Sequence, residues 1–130
     1  MKANELMIGD WVYNKNIDKP MQVYPMMFSQ MFRQKPNATT EDYNIFPIPL
    51  TAEILEKNEF DIICLKPGQA VYSLADDYYD LGVEEISDSI WRVEYWDLES
   101  SSFDAKLQIA FVHELQHALR LCGIEKEIVL

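Results

Sequence analysis

The chain has 130 residues, and 22 acidic against 11 basic side chains give it a formal net charge of −11. This length suits one domain, so the sequence predicts a single domain over residues 1–130 with its own hydrophobic core. The shortage of Lys and Arg argues against direct binding to nucleic acid, whose phosphates need cations, and against binding to an anionic membrane surface.

The first part of the chain predicts short antiparallel strands. Residues 8–13 alternate with the period of a half-buried strand, and residues 21–26 suit a second strand that ends near Pro25. Residues 43–46 suit a third strand, whereas residues 28–37 fit either a short helix or a packed loop. This succession indicates a small meander or a partly barrel-like sheet.

Residues 50–58 predict a short helix with a signal at each end. The Thr51 hydroxyl can accept an N–H of the first turn, and Leu50 and Leu55 occupy the two positions of a hydrophobic staple. Asn58 suits a left-handed residue that ends the helix.

The region after this helix predicts a hairpin and a further strand. Residues 60–65 and 70–74 suit strands joined by a turn over residues 66–69, and an acidic loop follows over residues 76–82. Residues 86–98 contain the clearest strand, because apolar and charged side chains alternate there. The apolar side holds Trp91, Val93 and Tyr95, and the charged side holds Arg92 and Glu94.

A long helix is predicted over residues 102–122, because apolar side chains recur there every three or four residues. They are Leu107, Phe111, Leu115, Ala118, Leu119 and Cys122. Ser101 with Asp104 suits the start of this helix and Gly123 its end, and residues 124–130 suit a short final strand. The predicted fold is therefore α+β: an antiparallel, partly barrel-like sheet with one short helix and one long C-terminal core helix.

Three segments of the chain carry a resemblance. They are Met-Lys-Ala-Asn-Glu-Leu through Gly-Asp-Trp-Val over residues 1–12, Pro-Ile-Pro-Leu-Thr-Ala-Glu-Ile-Leu over residues 47–55, and Val-His-Glu-Leu-Gln over residues 112–116. Together they resemble a family of short uncharacterised proteins that gut-bacterial prophages and mobile elements carry. The resemblance implies a bacterial or phage origin and a cytoplasmic location, and it brings no activity with it. Family members often have Asn or another residue at the position of His117 and Gln at the position of Glu114, which implies that the second histidine is not a family requirement.

The sequence also predicts a protein that stays in the compartment where it is made. No apolar stretch approaches the ~20 residues that cross a bilayer, and the first residues lack the apolar run of a signal peptide. Cys64 and Cys122 each have apolar neighbours, which favours two thiols in a reducing cytoplasm over a disulfide between them.

Acidic residues crowd region 76–104, where Arg92 alone opposes them. One interpretation is a solvated face that keeps the protein soluble, and another is a phosphate mimic that occupies a DNA-binding partner. Tyr78, Tyr79 and Trp96 are of the residue types that anchor protein interfaces, although packing of a loop on the sheet explains them more simply. The candidate interaction surface is Asp76, Asp77, Tyr78, Tyr79 and Asp80, and a partner that binds it should be basic.

Residues 113–117 spell the His-Glu-x-x-His motif of zinc hydrolases. On a helix, His113 and His117 lie on one face at the spacing of two zinc ligands, and Glu114 lies where the general base belongs. A catalytic zinc takes three protein ligands, but the chain has two histidines, and no residue supplies the third at a familiar spacing. A short motif of this kind arises often by chance, so the sequence favours histidines at the border of a polar helix face.

Three hypotheses for the function follow. The first is a non-enzymatic cytoplasmic interaction protein of a phage or mobile element, without a cofactor, that acts on a protein partner through its acidic surface. The second is a small zinc-dependent hydrolase that uses His113, His117 and Glu114. The third is an accessory domain without a discrete site.

Overall fold

The computed structural model describes residues 1–2, 5–34, 39–66, 69–99 and 102–130. Its contacts divide the chain into two compact units. The first unit is formed by residues 1–49 and 111–116, and the second by residues 50–110 and 117–130. The prediction of one domain over residues 1–130 stays a prediction.

The first unit is built on a three-stranded antiparallel sheet with the order β2-β1-β3. Its strands are β1 (Trp11–Asn14), β2 (Lys19–Gln22) and β3 (Ile45–Pro47). The three predicted strands are therefore present, with bounds that differ by a few residues. The second one ends earlier than predicted, because the chain turns into a helix at Pro25.

That helix is α1 (Pro25–Gln34). For residues 28–37 the sequence had allowed either a short helix or a packed loop. Proline suits the first helical position, because it has no N–H to leave unsatisfied and its φ angle is already helical. Met27 and Met31 lie four residues apart on one helix face, and both are buried. They join a core formed by Leu6, Val12, Val23 and Ile45.

The second unit begins with the short helix α2 (Ala52–Lys57), as predicted. The Thr51 hydroxyl accepts the Ile54 N–H at 3.3 Å, so the predicted cap is confirmed. The prediction that Asn58 is left-handed is wrong, because its φ angle is −93° and Glu59 takes the positive φ angle of 66°. The buried Asn58 side chain instead exchanges two hydrogen bonds of 2.8 Å with the backbone of Val129, and this fixes the C-terminal segment.

Five antiparallel strands follow, each paired with its neighbour in the sequence. They are β4 (Asp61–Lys66), β5 (Gln69–Ala75), β6 (Tyr79–Ser87), β7 (Ile90–Asp97) and β8 (Ser102–Ile109). Successive side chains of a strand point to opposite faces of the sheet. The strand register places one set of buried side chains on the core face of this sheet, and they are Tyr72, Leu81, Val83, Trp91, Val93 and Ile109. The opposite face is called the open face below.

The prediction of one helix over residues 102–122 is wrong. Residues Ser102–Ile109 form strand β8, and the helix α3 covers only Val112–Leu121. Leu107 pairs with Val93 and Ile109 with Trp91, so β8 supplies the fifth strand of the sheet. Backbone pairing with β7 thus decides the conformation of a segment whose apolar residues also fit a helical period. Ser101 lies outside the described residues.

Helix α3 ends as the sequence predicts. Gly123 has a φ angle of 72°, which glycine adopts without steric cost. Its N–H donates to Arg120 O at 3.0 Å, and the Ile124 N–H donates to Leu119 O at 2.9 Å, which together form a Schellman motif. The described segment 124–130 contains no strand, contrary to the prediction, although Ile124 and Ile128 are buried.

The α+β class with antiparallel sheets is confirmed, but neither sheet closes into a barrel. The predicted acidic loop over residues 76–82 is shorter than expected, because β6 already begins at Tyr79. Among the helices of the described residues, none is both long and apolar enough to cross a bilayer. The Cys64 side chain and the predicted turn residues Pro67 and Gly68 lie outside the described part of the chain.

Candidate functional site

The open face of the five-stranded sheet holds a concavity of about 470 Å³. Strand register explains its composition, because residues of alternate parity on β5, β6 and β7 point to this side. Its lining is formed by Ile63, Val71, Ser73, Asp80, Gly82, Glu84, Arg92, Glu94 and Trp96. The concavity therefore combines carboxylates, one guanidinium and a large aromatic ring on a rigid sheet.

One end of this concavity is an ion-pair network. Arg92 donates from Nη2 to Glu84 Oε2 at 2.8 Å, and its Nε lies 3.2 Å from Glu94 Oε1. Arg92 and Glu84 are cross-strand partners, and Glu94 follows Arg92 at the next position on the same face. All three side chains are partly exposed, so the network adds little to folding stability and mainly holds the guanidinium in place.

The other end contains Asp80 and Trp96, which are direct cross-strand partners. The Ser73 hydroxyl donates to Asp80 Oδ1 at 2.9 Å and orients this carboxylate. Trp96 is 42% exposed, so a large aromatic surface faces solvent beside a carboxylate. Gly82 lies between the two ends and places no side chain in the middle of the concavity.

The predicted interaction surface, Asp76 to Asp80, does not form one patch. Asp76 Oδ1 accepts the N–H groups of Tyr78 and Tyr79 at 2.7 and 3.0 Å, so this carboxylate shapes the tip of the β5–β6 hairpin. Asp77 and Tyr78 are exposed at that tip. Asp80 lies on the open face, whereas Tyr79 points to the opposite side of the sheet.

The Tyr79 side chain packs against a neighbouring ring of the sheet and does not extend into solvent as an interface residue would. Its ring stacks on that of Tyr95, with centroids 6.1 Å apart. Burial raises the pKa of the Tyr79 hydroxyl, and the negative charge of Asp76 raises it further. This residue therefore supports the hairpin. Among the side chains of the acidic region that the structure describes, Tyr78 and Trp96 are the exposed aromatics.

Two residues of the His-Glu-x-x-His motif, His113 and Glu114, make structural contacts near the start of α3. His113 is 4% exposed and stacks on Phe111 with ring centroids 5.9 Å apart and planes 8° apart. Glu114 is the third residue of the helix, and its Oε1 accepts the Phe111 N–H at 3.1 Å. That carboxylate thus caps the helix N-terminus, which is a common structural role for Glu at this position. His117 is half-buried.

We expect the purified protein to contain no stoichiometric zinc, because the Glu114 carboxylate caps the helix and two histidines alone form a weak site. Within the described ranges, no three His, Cys, Asp or Glu side chains are grouped to hold a metal ion. Elemental analysis after incubation with zinc and dialysis is the measurement, with His117→Asn as the comparison. About one zinc per chain, lost in His117→Asn, would restore the hydrolase hypothesis with Glu114 as general base.

Gln116 is the residue of this segment whose role the sequence did not reveal. It is buried, its Oε1 accepts the Trp11 N–H at 2.8 Å, and its Nε2 donates to Gly9 O at 3.0 Å. One amide thus satisfies both a donor and an acceptor of the backbone around the start of β1. The available signal was a polar residue next to the apolar residues Val112, Leu115 and Leu119 of one helix, since polar groups that become buried need hydrogen-bond partners.

Parts of three segments that the sequence analysis singled out, residues 9–11, 48–49 and 111–116, meet in the first unit. Gln116 joins residues 112–116 to residues 9–11, and the Val112 N–H donates to Ile48 O at 2.8 Å. Pro49 and Phe111 form an isolated antiparallel bridge beside that bond. These residues therefore act in the folding of the unit. No family model, no curated protein and no solved structure matches this chain.

Proposed function

We propose that this chain is a non-enzymatic interaction protein of the cytoplasm that binds a basic segment of a partner protein through the open face. One observation carries the proposal: in the part of the sheet that the structure describes, three carboxylates and one guanidinium surround a concavity on the face that does not form the core. The proposed setting is a phage or mobile element, where an acidic protein can occupy the cation-rich surface of a DNA-binding partner.

The charge around the concavity supports a basic partner. Among the described lining residues, Asp80, Glu84 and Glu94 against Arg92 give a net charge of −2. Asp61 and Lys106 lie on the same face by register and balance each other. Together with the net charge of −11 for the whole chain, this field attracts cationic surfaces and repels nucleic acid.

The shape and the side chains of the face support binding of a protein segment. Its strands hold each side chain at a fixed position, so a partner meets a surface that needs little ordering. Trp96 and Arg92 belong to the residue types that are enriched at binding hot spots, and the carboxylates surround them as a polar rim.

Site-specific photocrosslinking in the native host tests the proposal. A benzoylphenylalanine replaces Gln108, an exposed residue whose register partner on the open face is Arg92. The control position is Glu85, which is exposed on β6 but has the opposite parity to Glu84. We expect a basic protein to be crosslinked from position 108 and not from position 85.

The purified partner then allows a measurement of affinity. We expect at least about tenfold weaker binding at 300 mM than at 50 mM salt, because screening weakens attraction between exposed charges. Glu84→Gln with Glu94→Gln should weaken binding by at least about tenfold, or about 1.4 kcal/mol. The control pair, Glu85→Gln with Glu99→Gln, removes the same charge elsewhere and should change the affinity less than about twofold. Equal effects of the two pairs, or no effect of salt, would contradict the proposal.

A further inference from the structure

Resting on that proposed function, we infer that the concavity is a pocket for one arginine side chain of the partner. The guanidinium stacks on the Trp96 ring and pairs with the Asp80 carboxylate. The two groups are cross-strand neighbours on one face of the sheet. A tryptophan that is 42% exposed beside a carboxylate matches the planar, charged guanidinium, which stacks on rings and pairs with carboxylates.

The ion pairs of the concavity leave Asp80 as the carboxylate for an incoming cation. Arg92 is the one cation among the lining residues that the structure describes, and its contacts go to Glu84 and Glu94. Asp80 instead accepts from the neutral Ser73 hydroxyl, which donates to Oδ1 and holds the carboxylate in one orientation. The negative charge of the lining is therefore least compensated at the Trp96 end.

Gly82 provides the depth of the pocket. A glycine inside a strand weakens the sheet, and it often marks a place where another group approaches closely. Gly82 has no positive φ angle, and an added Cβ would lie 3.4 Å from Val71 Cγ1, an ordinary contact. Neither the backbone nor crowding thus demands glycine here. Its missing side chain leaves space between Trp96 and the Arg92 network, within a volume of about 470 Å³.

Because neither the backbone angle nor crowding requires glycine at position 82, the pocket can be filled by substitution without unfolding the protein. Gly82→Val fills the pocket with a residue that strands favour, so folding stability should be kept or raised. Asp80→Asn removes the charge and keeps the shape. Asp77→Asn, at the exposed hairpin tip, makes the same chemical change outside the pocket and is the matched control.

The probe is N-acetyl-arginine methylamide, titrated into the ¹⁵N-labelled protein and followed by NMR. We expect the Gly82 amide and the Trp96 indole signals to shift with a dissociation constant in the millimolar range. The citrulline compound, which is nearly isosteric but uncharged, should bind at least about fivefold more weakly. Binding should fall at least about fivefold in Gly82→Val and Asp80→Asn and stay unchanged in Asp77→Asn. Equal binding of citrulline, or full binding by Gly82→Val, would overturn the pocket.

The same variants separate this inference from the proposed function. Suppose that the crosslinked partner binds in a salt-dependent way and that Gly82→Val binds it as well as the unaltered protein. The inference of an arginine pocket is then wrong, while the proposal that the open face binds a basic partner is kept. If the arginine probe shifts Gly82 and Trp96 but position 108 captures no basic protein, the proposed function fails while the pocket remains. The expected result is a loss of partner binding of at least about tenfold in Gly82→Val.

Discussion

Trp91→Ala should lower the free energy of unfolding by about 3–5 kcal/mol, the usual cost of truncating a buried aromatic side chain. Trp91 is 2% exposed on the core face of the five-stranded sheet, and its ring packs edge to face with that of Tyr72, with centroids 6.0 Å apart. Its Nε1 donates to Leu50 O at 3.1 Å, so the substitution also removes the partner of a buried carbonyl. Urea denaturation followed by circular dichroism measures the change.

Two further variants keep this result interpretable. Trp91→Phe retains most of the ring but cannot donate to Leu50, and it should cost about 1–3 kcal/mol. Trp96→Ala removes the same side chain from the open face of the same strand, where it is 42% exposed. It should cost about 1 kcal/mol. If Trp91→Ala were no more destabilising than Trp96→Ala, the assignment of the two faces would be wrong.

Gln116→Ala should destabilise the protein by about 2–4 kcal/mol, because the Trp11 N–H loses the buried amide oxygen that accepts from it and the Gly9 carbonyl keeps only the exposed Gln22 amide of its two side-chain donors. The buried position prevents ready replacement of these bonds by solvent. Hydrogen exchange at the Trp11 amide measures the local effect, and thermal unfolding measures the global one. The Trp11 amide should exchange much faster in the variant.

The matched control is Gln22→Ala. The Gln22 side chain donates to the same Gly9 carbonyl at 3.1 Å, but it is exposed, so its loss should cost within about ±0.5 kcal/mol. Gln116→Glu separates the two bonds further, since a carboxylate still accepts from Trp11 but cannot donate to Gly9. A Gln116→Ala protein as stable as Gln22→Ala would show that the buried amide does not hold β1.

The largest difference between the fold predicted from the sequence and the observed fold lies in residues 102–109, which form a strand and not a helix. Phe103, Ala105, Leu107 and Ile109 alternate there with polar residues, which is the period of a strand. Leu107 also stands four residues before Phe111, and this spacing extended the helical pattern of α3 backwards. Pairing with the preceding strand β7 decides between the two periods, and the pattern of residues 102–109 alone does not show which segment they will pair with.

Local signals predicted other elements well, because the interactions that form them are themselves local. The hydroxyl of Thr51 and the left-handed Gly123 act within a few residues of their own helix ends. The alternation of Trp91, Arg92 and Val93 placed their side chains on the correct faces of β7, since strand geometry fixes parity.

The candidate site was only partly predictable for a related reason. Composition indicated an acidic surface and exposed aromatics, and Trp96 and Asp80 were among the residues named. Their meeting across two strands depends on the β6–β7 register, as does the position of Gly82 in the middle of the concavity. Tyr79 and Asp80 point to opposite faces of the sheet because β6 already begins at Tyr79, and successive residues of a strand alternate between the faces.

The bond between Trp11 and Gln116 spans 105 residues of sequence. During synthesis at roughly 5–20 residues per second, the segment around Trp11 waits about 5–20 s for its amide partner to be made. The five-stranded sheet has no such delay, because each strand pairs with the next one along the chain. Sequential hairpins of this kind fold from local contacts, whereas the first unit must close a long loop. The order of translation thus favours a finished five-stranded sheet before β1 gains its last hydrogen bonds.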